Sequence, residues 1–151
     1  MGTISRAYDV ERIAQPLIDK HHTHLREARI LYVFTSKDQK RNGKIVLGKA
    51  VKMAEFQQFL SSGDSFDTAE GYELVVMIAW NCWGALNVAQ RQALVDHELC
   101  HFERNEKDTG WAIRGHDVEE FTEVIARHGL WLADVQQFVE TAQQLPLGGV
   151  A

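Results

Sequence analysis

The chain has little cysteine, little proline, no long hydrophobic run and a shortage of positive charge. Of 151 residues, 2 are cysteine and 2 are proline, and 16 Lys and Arg stand against 21 Asp and Glu, a net charge of −5. Two cysteines, Cys82 and Cys100, make no disulfide scaffold. Both sit in apolar segments, which reads as reduced core thiols in cytoplasm. No apolar run reaches the roughly 18 residues of a membrane span. The start, MGTISRAYDVERIAQ, has no hydrophobic signal core, so export is not expected. Its Met-Gly opening falls near a myristoylation pattern, but nothing else supports an anchor, and no membrane partner is expected. The acidic balance argues against strong nucleic-acid binding, which needs a basic footprint. Lys37, Lys40, Arg41, Lys44, Lys49 and Lys52 do cluster, and they read as a solvated loop and strand edge.

What is present fits one domain. At 45% hydrophobic the chain can bury a real core. No repeat or low-complexity segment divides it, so a single domain is expected over 6–145, with flexible ends at 1–5 and 146–151. Val10, Ile13, Leu17, Ile18 and Leu25 mark a helix from about Tyr8 to Glu27. ARILYVFTS and KIVLGKAVKM read as strands around an Asn42-Gly43 hairpin turn. AEFQQFL reads as a short helix, and GYELVVMIAW as a strand buried on both faces. A helix is expected from Asn87, its N-cap, to about Glu106, followed by a loop KDTGWAIRG. Further helices are expected from His116 or Asp117 and after Gly129. The order is that of an α+β fold, a small, mainly antiparallel sheet packed against helices.

The chemistry is concentrated in LVDHELCHF, where His97, Glu98 and His101 spell H-E-x-x-H. On a helix, residues four apart share a side, so both imidazoles can address one metal ion. Glu98 lies beside the pair, placed to take a proton from an attacking water. Zinc in a catalytic site needs a third protein ligand. His116, fifteen residues after His101, suits that role, because a loop lets the chain return to the motif helix. Glu119, Glu120 and Glu123 compete for it, and Glu120 and Glu123 share a helical face with His116.

Asp96 reads either as support for the first histidine or as an acid on an exposed turn. Cys100 is expected in the core. His21, His22 and His24 read as solvated rather than metal-binding, and Trp80, Trp83 and Trp111 as core or cleft walls. An edge strand above the motif helix, where an extended peptide can add, is of interest near Trp80. Arg114 and His128 are candidate oxyanion donors.

The set His97-Glu98-x-x-His101, Gly115-His116 and Glu120-Phe121 resembles the SprT-like zinc metalloproteases. D-H-E-L-C-H with G-H-D-V-E-E-F more closely resembles the small phage metallopeptidases, over about 30–131. The resemblance implies a zincin-like fold with the motif on a central helix, a Zn²⁺ ion held by His97, His101 and His116, and Glu98 as general base. It implies a peptide or protein substrate. One residue more than in the SprT pattern separates His116 from the Glu-Phe pair, which leaves the role of Glu120 open. The alternative is a catalytically silent, zinc-stabilised protein that binds a host factor.

Overall fold

The computed structural model describes residues 3–36, 40–41, 44–63, 70–105, 110–114 and 127–128. In chain order the elements are β1 (Ile4–Arg6), α1 (Tyr8–His21), a 3₁₀ turn (Thr23–Leu25), β2 (Ile30–Thr35), β3 (Lys40–Arg41), β4 (Lys44–Ile45), β5 (Gly48–Lys52), α2 (Glu55–Leu60), β6 (Leu74–Ala79), α3 (Trp80–Trp83), α4 (Val88–Cys100), β7 (Phe102–Arg104) and β8 (Trp111–Ile113). The helices expected from His116 and after Gly129, and the tail from 146, lie outside the described residues.

The main sheet has the order β1-β2-β6-β5. Its outer strands pair antiparallel, but β2 and β6 run parallel, from Ile30 opposite Leu74 to Thr35 opposite Ala79. The fold is therefore α+β with a mixed sheet, mainly antiparallel as expected apart from the β2–β6 pairing. Parallel neighbours need a crossover, and the stretch holding β3, β4, β5 and α2 supplies it. The apolar run of β6 suits an interior strand. Arg41 stands opposite Lys44 across positions 42–43, as the turn signal predicts. Ile4 and Ser5, expected in a flexible leader, instead pair with Thr35 and Phe34.

Alternation along the strands decides where the core lies. Ile30, Tyr32 and Phe34 of β2 share a face with Leu74, Val76 and Ile78 of β6. Against that face pack Val10, Ala14 and Ile18 of α1 and Leu94, Val95 and Leu99 of α4. Helix α4 also contacts α1 and β5, so it is wedged between a helix and the outer strand of the sheet.

Three boundaries differ from the expected ones. Helix α1 stops at His21, where His22 leaves helical geometry (φ −128, ψ 51), and a 3₁₀ turn follows. Strand β6 ends at Ala79, and Trp80 opens a single helical turn with 55% of its surface exposed, so it is not a core residue. Trp83 and Trp111 are buried as expected. Helix α4 ends at Cys100 with His101 as its cap, not near Glu106. There the chain turns into β7, which pairs with β8 inside the stretch assigned to a loop. Phe102 and Trp111 are both buried, and Trp111 donates to Glu73 Oε2 at 3.2 Å, so burial of two aromatics outweighs continuing the helix. Strands of three residues are too short to give a readable alternation.

Candidate metal centre

Helix α4 begins with a reciprocal cap. The Gln90 N–H donates to Asn87 Oδ1 at 2.8 Å, and the Asn87 N–H donates to Gln90 Oε1 at 3.0 Å. Two otherwise orphaned donors are satisfied, and the helix start is pinned where the sequence put it. Ten residues on, His97 and Glu98 occupy the last turn and His101 caps it in αR geometry. The two imidazole centroids are 5.2 Å apart. Glu98 Oε1 lies 3.9 Å from His97 Nε2 and 3.8 Å from His101 Nε2. The two ring nitrogens thus converge on the same carboxylate, at separations too long for direct hydrogen bonds. Glu98 is only 2% exposed, and the histidines are partly open.

Sequence reasoning missed what orients these groups. His101 Nδ1 donates to the Arg114 carbonyl at 2.7 Å, and the Arg114 N–H donates to the His101 carbonyl at 2.6 Å. The β7–β8 hairpin brings Arg114 back to the helix end. A proton fixed on Nδ1 leaves Nε2 as the lone-pair nitrogen, which is the tautomer a metal ligand requires. On the other side, Gly48 of β5 lies over Glu98. A Cβ at Gly48 would stand 3.0 Å from Glu98 Oε2 and 3.1 Å from Ile78 Cδ1. A side chain at this position would crowd the carboxylate, and glycine avoids that.

A second polar group sits on a neighbouring face of the same helix. Asp96 is 0% exposed, which settles its two readings against the exposed turn. Its Oδ1 accepts from His22 Nε2 at 2.6 Å. Arg127 Nη1 reaches both oxygens, at 2.8 and 2.9 Å, and His128 Nε2 reaches Oδ2 at 2.9 Å. Cys100 is buried beside it, with Sγ 3.9 Å from Oδ1. Burial opposes ionisation of Asp96, but hydrogen bonds from His22 and Arg127, with the Arg127 charge, outweigh it and lower its pKa to about 2. Of the three early histidines, His21 and His24 are exposed as expected, and the solvated reading needs correcting for His22. His22 is 2% exposed and bonded to Asp96, and His24 donates to the Phe102 carbonyl at 2.9 Å. His128, a candidate oxyanion donor, is engaged with Asp96.

The family model described as Putative phage metallopeptidase matches residues 3–143. The chain belongs to that family. No curated protein and no solved structure matches it significantly. Membership of the phage metallopeptidase family implies a metal ion. Among the described residues, two groups of side chains bring their donor atoms within 4.8 Å of one another: His97, Glu98 and His101, and His22, Asp96 and Cys100.

The donor sets of these two groups differ. The first joins two imidazoles, one with its tautomer set for ligation, to a buried carboxylate 3.9 and 3.8 Å from their Nε2 atoms. In the second, the carboxylate already carries a guanidinium on both oxygens, and a divalent cation would have to displace it or sit against it. The first set fits a metal ion of the kind that the family implies. His116, Glu119, Glu120 and Glu123 lie outside the described residues. No described helix is long and apolar enough to cross a membrane.

Proposed function

We propose that this chain is a zinc-dependent peptidase of zincin-like type. His97 and His101 hold the metal with His116 as third ligand, and Glu98 is the general base. The observation that carries the reading is the buried Glu98 carboxylate set 3.8 to 3.9 Å from the Nε2 atoms of both histidines at the end of one helix. When bound, zinc supplies Lewis acidity that brings the pKa of a water towards 7 and polarises the scissile carbonyl. Glu98 takes the proton from the attacking water and passes it to the leaving amine. The Arg114 carbonyl keeps the His101 proton on Nδ1 throughout. Gly48 leaves the Glu98 carboxylate the space to pivot between the two partners.

The substrate is a peptide or protein met in the cytoplasm, the host's for a phage-encoded chain. Strong nucleic-acid binding is not part of the activity, in keeping with the net charge of −5. A catalytically silent zinc protein would have no use for a buried carboxylate beside the ligands, and no observation favours that reading.

Glu98→Gln tests the proposal. It keeps the size of the side chain and removes the base, so hydrolysis of a peptide library should fall about 10²–10⁴-fold. Zinc content, read by elemental analysis, should hold. Undiminished hydrolysis by the variant would refute the role given to Glu98.

A further inference from the structure

The Asp96 cluster is more elaborate than packing requires. One carboxylate receives His22, which follows α1, and Arg127 and His128, which follow the proposed third ligand by 11 and 12 residues. These partners are 74, 31 and 32 residues away in sequence. A buried ion pair contributes little net stability compared with an apolar contact of the same volume, because both charges lose their hydration. What it adds is direction. Hydrogen bonds fix the azimuth of a side chain, where leucines would let two helices slide and roll.

Asp96 is also the residue immediately before His97, roughly 100° away around the helix at 3.6 residues per turn. Fixing the Asp96 carboxylate therefore fixes the rotation of α4 about its axis, and with it the directions of His97 and His101. The far end of the motif is held separately, by the paired bonds between His101 and Arg114.

We propose that Asp96 is a positioning residue, a buried anchor that locks α1 and the Arg127-His128 pair to the motif helix and so aims the metal-binding histidines. The anchor works without a metal of its own. One guanidinium faces one carboxylate, His22 and His128 add hydrogen bonds to it, and Cys100 packs alongside. The inference rests on the metal site proposed above, and it names what that site depends on.

The test uses the full chain with Asp96→Asn, Arg127→Met and Arg127→Lys. Zinc affinity is read by chelator competition, the ligand field by the visible spectrum of the cobalt(II) form, and folding by circular dichroism. Loss of an outer partner of a metal site typically weakens binding about 10–100-fold. Asp96→Asn and Arg127→Met should show that loss with an altered cobalt spectrum, and Arg127→Lys, which keeps the charge, should recover much of it. Should Asp96→Asn not fold, Arg127→Met carries the test, since that side chain enters from the rim of the cluster.

Ring ¹⁵N resonances of His97 and His101 in the metal-free protein give a readout independent of any metal. They should move in Asp96→Asn and Arg127→Met. Folded variants with unchanged affinity, cobalt spectrum and ring resonances would overturn the proposal. So would a second metal equivalent that disappears in Cys100→Ser, since the cluster would then be a metal site. If the wild type binds no metal while the ring resonances still move in the variants, the positioning role stands and the peptidase reading falls.

Discussion

Within six consecutive residues, helix α4 presents His97, Glu98 and His101 to one side and Asp96 and Cys100 to another. Both sides gather histidine and an acid, and both bring donor atoms to within 4.8 Å. They differ in what faces the acid. Glu98 faces two imidazole nitrogens beyond hydrogen-bond length, and its histidines are partly open to solvent. Asp96 is closed in by donors at 2.6 to 2.9 Å, one of them a permanent cation. A cluster of ligating side chains is thus a poor guide by itself. Asp96 already has a guanidinium on both oxygens, and a metal ion there would have to compete with it.

The contrast breaks most visibly when each side loses a residue. Removing one partner of a buried ion pair leaves the other charge stranded and typically costs about 3–5 kcal/mol. Asp96→Ala should therefore destabilise the metal-free protein by about that much, measured by urea unfolding. His97→Ala in the same metal-free state should cost no more than about 1 kcal/mol, the ordinary effect of a single substitution. Equal losses at the two positions would erase the distinction.

Gly48→Ala probes the first side without touching a ligand. The new methyl meets the Glu98 carboxylate at 3.0 Å and Ile78 at 3.1 Å. Overpacking of this kind costs about 1–3 kcal/mol, and here the strain falls on Glu98, the proposed base. Turnover should drop while zinc content is retained. A fully active Gly48→Ala would mean that the outer strand shifts easily and does not constrain Glu98.

The smallest effect lies away from both clusters. The Tyr32 hydroxyl is buried and finds no hydrogen-bond partner among the described residues. Burial first, and the nearby Glu11 charge second, raise its pKa above the ordinary 10.0. The folded state then holds its proton where the unfolded chain releases it. This contribution to stability is complete below pH 10 and is lost as the pH rises above it. Tyr32→Phe should gain about 1 kcal/mol at neutral pH by removing an unsatisfied group, and should lack this alkaline decline. A loss of stability in Tyr32→Phe would show that the hydroxyl is paired after all.

Much of the first side was legible in the sequence, because its signals are local. H-E-x-x-H needs only helical spacing, and Asn87 with Gln90 forms a cap within four residues. The second side was not legible, because it is assembled from residues 22, 96, 127 and 128, and nothing in the triplet of early histidines marks His22 as the buried one. The end of α4 was misplaced for a related reason: Phe102 and Trp111 leave the helix for a hairpin whose short strands carry no periodicity. The parallel pairing of β2 with β6 depends on a crossover that an Asn-Gly turn signal does not reveal. The resemblance carried by His97, Glu98, His101 and the Gly115-His116 pair led to the family, and it was silent on the Arg114 carbonyl that sets the His101 tautomer.

Metal stoichiometry across the two sides tests the central claim most directly. The wild type, His101→Ala and Cys100→Ser would each be stripped, reloaded with zinc, freed of excess and analysed for bound metal. The account predicts about one equivalent for the wild type and for Cys100→Ser, and loss of most of it in His101→Ala. Retention by His101→Ala with loss in Cys100→Ser would put the metal on the Asp96 side and contradict the account.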